Sequence, residues 1–317
     1  MIISPKDTCV IIRDTTLREG LDTPHVSFSK KEKLRIVQGL IKAAVPEIEI
    51  VAPSCVFDDL EMVKRVKDEG LEIKTSGLIY AYSPVCEEEV EAASKYLDRL
   101  DLLMPVSFAR KPYEREEKCR RLFRLLETAI DLQGDVGVGF PHSTQTELDF
   151  LVEISEESEK RGASRVTLYD TNGCADPFQI YALISTIRKK IDGMIFFHGH
   201  NDLGLAVANS LSAVKGGADG LDTTINGLGD RAGNASFEQV VMALHLRNIY
   251  THVNLSQVVM LSKIVEEFSG VLVSKLAPVI GEYAFCHKSP SHLEKPDLFE
   301  AFDPEIICRY RELSEPE

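Results

Sequence analysis

The stretch RVTLYDTNGCADPFQIYALISTIRKKIDGMIFFHGHNDLGLAVANSLSAVKGGADGLDTTI, residues 165–225, decides the fold. Three runs rich in β-branched and aromatic residues, 165–169, 194–200 and 220–225, alternate in it with segments of helical period. Such alternation is typical of parallel strands joined by crossover helices. The stretch therefore predicts an α/β protein with a parallel sheet.

The same alternation extends through the first four fifths of the chain. Eight strand and helix units in about 250 residues are typical of a (β/α)8 TIM barrel, so we predict this barrel over residues 1–253. An open doubly wound sheet is the alternative, but it usually has a glycine fingerprint after its first strand, where this chain has RDTTLREG, residues 13–20. The predicted strands are 9–14, 47–51, 72–76, 99–103, 135–140, 165–169, 194–200 and 220–225, and the helices begin near residues 29, 57, 87, 115, 144, 176, 205 and 236.

The pattern changes beyond residue 254. A helix is predicted over 256–268, and residues 277–304 contain too few apolar side chains to form a core of their own. Residues 254–317 are therefore predicted to form a short C-terminal helical subdomain or arm.

Composition excludes several classes of protein. The chain has 317 residues, with 36 Lys and Arg against 50 Asp and Glu, and a net charge of −14 makes nucleic acid an unfavourable partner. No apolar run approaches the roughly 20 residues that span a bilayer, and no secretory signal is visible, so we expect a cytoplasmic protein with no membrane partner. The seven cysteines include no CxxC pair, which argues against a disulfide framework and a zinc knuckle.

The sequence HGHND at the end of the predicted seventh strand indicates a metal site. His198 and His200 are two residues apart and therefore point to the same side of a strand. This is a metal-ligand spacing, although one histidine could instead cap the strand while the other packs. Chemistry in this barrel lies at the C-terminal strand ends, which favours the metal site.

Two imidazoles need an oxygen ligand to hold a divalent ion firmly. Glu19, just after the first strand, is the best candidate, because only the eighth strand separates strands one and seven in a closed barrel; its alternative role is a surface salt bridge with Arg18. Asn234, in the glycine-rich loop after the eighth strand, is a candidate carbonyl donor. That loop could equally be a turn that caps the last helix.

A site of two histidines, a carboxylate and an amide suits a Lewis acid that holds an α-keto acid through its carboxylate and carbonyl oxygens. Arg18 would neutralise the developing oxyanion charge. Thr171, after the sixth strand, could donate its hydroxyl to the substrate carboxylate or simply cap the strand. Carbon–carbon bond formation or cleavage is the chemistry that such a site favours.

Two segments resemble a known family. DTTLREG, residues 14–20, and HGHNDLGLAVANSLSAVKGGADGLDTTINGLGDRAGNASFEQVVMAL, residues 198–244, are similar to the metal-dependent Claisen-condensing TIM-barrel enzymes, which include isopropylmalate, homocitrate and citramalate synthases, with hydroxymethylglutaryl-CoA lyase as a more distant relative. The resemblance covers the whole barrel. It implies that Glu19, His198, His200 and Asn234 are metal ligands and that Arg18 faces the reacting carbonyl.

Further roles are also implied by this resemblance. Thr171 matches the threonine that binds the keto-acid carboxylate, and Glu49 matches an acidic residue at the end of the second strand. The segment YAFCHKSPSH, residues 283–292, resembles the segment that reaches into a neighbouring subunit's site, which makes His292 the candidate catalytic histidine and implies a homodimer. The regulatory domain of isopropylmalate synthases is expected to be absent.

The chain also departs from the family. Asp22, expected at the substrate site, stands where the synthases have Gln, and Phe299 stands where they have Tyr. The fifth strand lacks the usual keto-acid-reading Arg, and Pro141 falls where an acid is expected, so His142 is a candidate replacement base or substrate contact. The loop 227–234 has no cysteine of the kind that the lyases carry, which favours condensation.

The leading hypothesis is a divalent-metal-dependent acyltransferase, using Mg, Mn, Zn or Co, that condenses an acyl-CoA such as acetyl-CoA with an α-keto acid to give a 2-hydroxy diacid. The base that removes a proton from the acyl group is expected to be His292, with His142 and Glu49 as alternatives. A second hypothesis is a metal-dependent lyase or aldolase of the same superfamily acting on a specialised 2-hydroxy acid or acyl-CoA. A third is a metal-binding homologue without catalytic activity.

Overall fold

Eight parallel strands close into a barrel in which each strand pairs with the next and the last pairs with the first. The computed structural model describes residues 9–52, 56–107 and 111–313, and all eight strands lie in those ranges. This closed order confirms the predicted TIM barrel and excludes the open sheet. The strands are β1 (Ile11–Asp14), β2 (Glu47–Val51), β3 (Lys74–Tyr80), β4 (Arg99–Leu103), β5 (Val136–Phe140), β6 (Arg165–Asp170), β7 (Met194–Gly199) and β8 (Gly220–Thr223).

Helices surround the barrel, and side-chain caps fix the starts of α1, α6 and α8. Ser29 and Glu32 form a reciprocal capping box at the start of α1, and Asp176 caps α6 ahead of Pro177, as their side chains predict. The helices that follow the eight strands are α1 (Lys30–Lys42), α2 (Val56–Asp68), α3 (Cys86–Ala93), α4 (Pro112–Gln133), α5 (Leu148–Lys160), α6 (Pro177–Arg188), α7 (Ala206–Gly216) and α8 (Phe237–His245).

Two predicted element boundaries are wrong by four residues, the largest differences from the structure. The third strand was expected to end at residue 76 but continues to Tyr80, because Gly77 does not form a turn. A Cβ at this position would lie 2.8 Å from the Val51 Cβ, so the glycine permits close strand packing. The fifth helix was expected near residue 144, but a 3-10 turn, Ser143–Gln145, precedes it and delays its start to Leu148.

The barrel interior is charged, while its outer strand faces are apolar. Arg13 on β1 donates to Asp222 on β8 at 2.7 and 2.9 Å and also bonds Asp101 on β4. Arg165 on β6 makes a two-pronged contact with Glu47 on β2, at 2.7 and 2.8 Å. The contacts of Arg13 with Asp101 and of Arg165 with Glu47 cross the barrel interior, whereas Arg13 and Asp222 lie on neighbouring strands. Alternate residues of the same strands, including Ile12, Ile48, Leu102, Leu168 and Leu221, belong to the apolar core beneath the helices.

The C-terminal region packs against the barrel. Helix α9 (Val258–Ser269) lies against α1, and beyond it β9 (Cys286–His287) pairs with β10 (Glu312–Leu313), with α10 (Pro290–Glu294) between them. Phe285 and Ile307 are buried together with Met242 of α8. The region after α9 thus buries its apolar side chains by using a barrel helix. We call residues 271–313 the arm.

Two further expectations from composition can be compared with the structure. The six cysteines that the structure describes are free, and Cys55 lies outside the described residues. None of the described helices combines the length and the apolar composition needed to cross a bilayer.

The packing of Gly220 generates a stability prediction. A Cβ on Gly220 would lie 2.1 Å from Phe196 Cζ, and the Phe196 ring is itself fixed under the Arg165 guanidinium at 3.5 Å. Gly220→Ala should therefore lower the free energy of unfolding by about 1–3 kcal/mol through overpacking. Urea unfolding followed by circular dichroism measures the change.

Gly20→Ala is the matched control, because its added methyl would meet no atom closer than 3.4 Å. Its unfolding free energy should stay within about 0.5 kcal/mol of that of the wild type. Equal effects of the two substitutions would contradict this account of the barrel interior.

Candidate metal centre and active site

Three sequence-predicted ligands meet at the C-terminal end of the barrel. Glu19 begins a 3-10 turn just after β1, His198 lies near the end of β7 and His200 directly follows that strand. One ligand atom from each residue lies within 4.8 Å of the others, and all three side chains are buried. In the closed barrel only β8 lies between β1 and β7, as predicted. This strand order explains why the three residues converge.

Glu19 is the ionised member of this cluster. His200 Nε2 lies 3.5 Å from Glu19 Oε1, and His198 Nε2 lies 3.9 Å from Glu19 Oε2. Burial alone raises the pKa of the Glu19 carboxyl, but the positive charge of Arg18, with smaller contributions from the neighbouring imidazoles and the Asn234 amide, outweighs burial and lowers the pKa to about 2. The carboxylate is therefore charged at neutral pH.

The two imidazoles are suited to bind a cation as neutral rings. Burial, followed by repulsion from His198, lowers the pKa of His200 to about 3. On the other ring, His198 Nε2 is buried and has no hydrogen-bond partner among the described residues. Because a ligating imidazole must offer a lone pair, neutral rings with an unused nitrogen are the required form.

Asp222 fixes the orientation of His198 and was not identified from the sequence. Its Oδ2 lies 3.0 Å from His198 Nδ1, and its carboxylate also accepts two bonds from Arg13. Burial by itself raises the pKa of Asp222, but Arg13 and His198 hold that pKa well below its usual range. An ionised Asp222 accepts only, so Nδ1 carries the proton and the lone pair is on Nε2. An acidic residue on the strand beside the HGH strand is the sequence signal that could have indicated it.

The loop after β8 brings Asn234 to the same place. Asn234 forms a backbone bridge with His200, and its buried side-chain amide lies beside the Glu19 carboxylate, while the amide oxygen has no hydrogen-bond partner among the described residues. Gly229 and Gly233 adopt φ values of 152° and 82°, and a Cβ on Gly233 would lie 2.0 Å from a backbone oxygen. The glycines therefore permit the turn that presents Asn234.

These donors fit a divalent cation. Buried polar atoms are normally hydrogen-bonded, and an imidazole nitrogen and an amide oxygen left unpaired beside an ionised carboxylate need an explanation. A cation bound by the two imidazoles, the carboxylate and the amide oxygen would supply the missing partners.

Arg18 and Glu49 lie beside the cluster. Arg18 contacts both Glu19 and Glu49, and its buried Nη2 has no partner among the described residues. Glu49 is fully buried on β2, where Oε2 is bound to Arg18 and Oε1 lies 3.4 Å from Arg13 Nη1. A guanidinium nitrogen of Arg18 thus remains available next to the candidate metal site.

Tyr169 is a second residue that sequence reasoning missed as part of the site. Its ring lies 4.8 Å from the His198 ring, and its buried hydroxyl has no partner among the described residues. A Cβ on Gly139 would lie 3.0 Å from Tyr169 Cε2, so the absence of a side chain on β5 makes room for this ring. Leu78 and Leu103 pack against it and form an apolar wall. Its position at the end of a predicted strand, directly before the sequence DTNG, is the signal that could have indicated it.

Thr171 and His142 lie together at the barrel mouth. The backbone N–H of His142 donates to Thr171 Oγ1 at 2.8 Å, and Arg231 donates to the Thr171 carbonyl at 2.7 Å. His142 has a φ of 57°, a left-handed conformation at the turn after β5. Because Thr171 Oγ1 accepts a bond here, its own hydroxyl proton is left to donate elsewhere.

Asp22 closes the 3-10 turn that begins at Glu19. Burial, followed by repulsion from Glu19, raises the pKa of its carboxyl. Asp22 is thus close enough to the cluster to respond to its charge, while part of the residue is exposed to solvent.

His292 lies in the arm, apart from the contacts described above. Its ring stacks on Phe299 with the centroids 3.8 Å apart, and its Nδ1 lies 3.4 Å from His287 Nδ1. The structure of one chain therefore brings Glu19, His198, His200, Arg18 and Asn234 together and places His292 in contact with arm residues.

Solved structures share the barrel fold. The HMG-CoA lyase of Bacillus subtilis has a TM-score of 0.71 at 21% sequence identity, over 85% of this chain and 97% of that one. The carboxyl transferase domain of Rhizobium etli pyruvate carboxylase has a TM-score of 0.71 at 16% identity, over 89% of this chain and 52% of that one. At these identities the likeness shows the fold alone.

Curated relatives extend the comparison to sequence. Over 313 residues the chain is 35% identical to the probable 2-isopropylmalate synthase of Methanopyrus kandleri. The alignment covers 96% of this chain but only 62% of that protein. It is 36% identical over 314 residues to homocitrate synthase AksA of the same organism, covering 96% of this chain and 78% of that protein. Residues 9–265 match the family described as HMGL-like. The chain is therefore a member of the HMGL-like family.

Proposed function

We propose that this protein is a divalent-metal-dependent acyltransferase that condenses an acyl-CoA, with acetyl-CoA as the leading candidate, with an α-keto acid. Water then cleaves the thioester, which gives a 2-hydroxy diacid and releases free CoA. The observation that carries the proposal is the convergence of Glu19, His198 and His200, with the unpaired Arg18 Nη2 beside them. The names of the relatives, isopropylmalate and homocitrate synthases, support condensation as the direction.

Glu19, His198, His200 and the Asn234 amide oxygen would hold the ion, which could be Mg, Mn, Zn or Co, since these donors suit all four. When bound, such an ion supplies Lewis acidity, which polarises the keto group of the substrate. Asp222 maintains the required tautomer of His198 through its 3.0 Å contact with Nδ1.

Arg18 and Thr171 are proposed to bind the keto acid. The buried Nη2 of Arg18 can neutralise negative charge that develops on the keto oxygen, because its other nitrogens are engaged by Glu19 and Glu49 and hold it in place. The Thr171 hydroxyl can donate to the substrate carboxylate. Asp22 lies at the rim of this site and is proposed to contact the substrate.

His292 is the proposed base that takes the proton from the acyl-CoA methyl group, and a second copy of the chain would supply it. Exposed apolar side chains in the arm support such a homodimer: Leu272, Leu276 and Tyr310 are 83%, 79% and 80% exposed in the single chain. Residues 254–317 would then serve as a subdomain that completes the site of a partner barrel, residues 1–253. Glu49 and His142 are the alternative bases within the barrel.

Cleavage by a lyase or aldolase is the second candidate function. It is favoured by the fifth strand, where Gly137 and Gly139 place no charged side chain in the barrel mouth and Tyr169 fills the space instead. The same metal ligands and Arg18 would then stabilise the enolate that leaves.

Metal binding gives the first test of the proposed function. The purified protein dialysed against Mn²⁺ should retain about one ion per chain, and His198→Ala should lose it because a buried ligand is removed. Elemental analysis measures the retained metal. His245→Ala, an exposed histidine at the end of α8, is the control and should keep the ion. Equal retention by the two variants would contradict the assigned site.

Turnover gives the second test. Acetyl-CoA, Mn²⁺ and a panel of keto acids should release free thiol, measured with a thiol reagent. Arg18→Lys should lower kcat/KM by roughly 10²–10³-fold, since an ammonium cannot contact the two carboxylates and the substrate together. Arg120→Lys, on the exposed face of α4, should have wild-type activity. No thiol release across the panel, together with cleavage of a 2-hydroxy acid, would favour the lyase.

The Asp222 contact gives a third prediction. Asp222→Asn should weaken Mn²⁺ binding about 10–100-fold, because the neutral amide no longer enforces the proton on His198 Nδ1. Calorimetric titration measures the affinity, and Asp219→Asn, whose carboxylate contacts Arg188 at 2.8 Å, is the control. An unchanged affinity in a variant that unfolds normally would show that Asp222 has no role in orienting the ligand.

A further inference from the structure

We propose that His287 is a positioning residue that, together with Glu300, holds neutral His292 in the tautomer whose Nε2 is unprotonated. This inference rests on the proposed function, in which His292 accepts a proton. It assigns a role to a series of hydrogen-bonded side chains in the arm, which lies outside the candidate metal centre.

The chain of contacts begins at a buried carboxylate. Glu300 is 4% exposed at its side chain and accepts bonds from Arg311 Nε at 2.8 and 3.0 Å. His287, also buried, places Nε2 3.0 Å from Glu300 Oε1 and Nδ1 3.4 Å from His292 Nδ1. Four side chains thus form one continuous path from Arg311 to His292.

Backbone structure holds the members of this path in place. His287 belongs to β9 and pairs with Leu313 of β10, and its neighbour Phe285 is buried against Met242 of α8. His292 lies in α10, and its N–H donates to the Ser289 carbonyl at 2.9 Å. Phe285 therefore anchors β9 on the barrel, and a backbone hydrogen bond holds His292 within α10.

The position of each proton along this path follows from the charge of Glu300. A carboxylate paired with Arg311 is ionised and only accepts, so His287 Nε2 must carry a proton. In a neutral imidazole the other nitrogen is then an acceptor, which makes His287 Nδ1 accept from His292 Nδ1. With its proton on Nδ1, neutral His292 has its lone pair on Nε2, at the edge of the ring away from His287.

Charge balance favours a neutral His287. Arg311 already supplies one positive charge to the buried Glu300, so a second cation on His287 would lack a buried counterpart. Arg311 also contacts Asp297 and Asp303, at 2.6 and 3.7 Å, but these side chains are 78% and 54% exposed and are solvated by water.

Phe299 fixes the plane of the His292 ring. The two rings stack at 3.8 Å with an angle of 11° between their planes, while Phe299 is itself 49% exposed. One face of the imidazole is covered and Nδ1 is bound, which leaves the Nε2 edge to meet a substrate. This is the state that a general base requires before it accepts a proton.

Nuclear magnetic resonance tests the tautomer without any need for activity. In protein labelled with ¹⁵N-histidine, long-range proton–nitrogen spectra distinguish a protonated from an unprotonated ring nitrogen, and His292→Ala identifies the His292 signals. At a pH where the ring is neutral, the wild type should show protonated Nδ1 and unprotonated Nε2. A predominant Nε2–H form in the wild type would overturn the proposal.

Two substitutions of His287 sharpen the test. His287→Leu removes both hydrogen bonds, so the His292 proton should shift toward Nε2. His287→Gln keeps a donor for Glu300 and an acceptor for His292, and it should retain the Nδ1–H form. His245→Leu, at the exposed end of α8, is the control and should leave the His292 signals in place. No shift in a folded His287→Leu variant would also overturn the proposal.

Activity separates this inference from the proposed function. His287→Leu should lower kcat roughly tenfold with little change in the KM for the keto acid, and His287→Gln should restore most of the rate, because only the base is affected. Equal losses in both variants would contradict a positioning role. If the tautomers are as expected but no condensation occurs with any keto acid, the positioning role of His287 stands and the proposed function fails.

Discussion

One carboxylate joins the stability of the barrel to its candidate chemistry. Asp222 accepts two hydrogen bonds from the buried Arg13 guanidinium and one from His198 Nδ1 at 3.0 Å. The same group thus neutralises a charge in the barrel interior and determines which nitrogen of His198 faces Glu19. Because a buried charge without a partner is strongly destabilising, this interaction constrains the residues around it.

A similar constraint applies to Arg18, which is proposed to bind the substrate. Arg18 is held by two carboxylates, one from the turn after β1 and one from β2, and retains an unpaired buried nitrogen. Nearby, unpaired atoms of His198, Asn234 and Tyr169 accumulate in one small region. Burial of so many unsatisfied polar groups is unfavourable for folding alone, so their concentration at the C-terminal strand ends supports the proposal that the site binds a ligand.

The sequence was informative where local chemistry determines structure. Capping residues such as Ser29 and Asp176 located helix starts, and strand periodicity paired His198 with His200. Barrel closure then brought Glu19 to them, because strand order follows from the number of units. Element ends were less predictable: Gly77 proved to be a packing glycine inside a longer strand.

Other features depend on contacts that no local pattern encodes. The role of Asp222 arises from its register opposite Arg13 across the β1–β8 pair, and that of Tyr169 from the open space above Gly139. The partners of His292 likewise come from His287, Phe299 and Glu300, which the folding of the arm assembles. These contacts join residues that are far apart in the sequence, so only the three-dimensional structure reveals them.

The central claim is that Glu19, His198 and His200 share one cation. Anomalous diffraction from crystals grown with Mn²⁺ tests it most directly, since the ion gives a signal that lighter atoms do not. The account predicts a single strong peak about 2.0–2.3 Å from one ligand atom of each residue, in line with usual metal–ligand distances. A map with no peak there, or with the ion bound by other side chains, would contradict it.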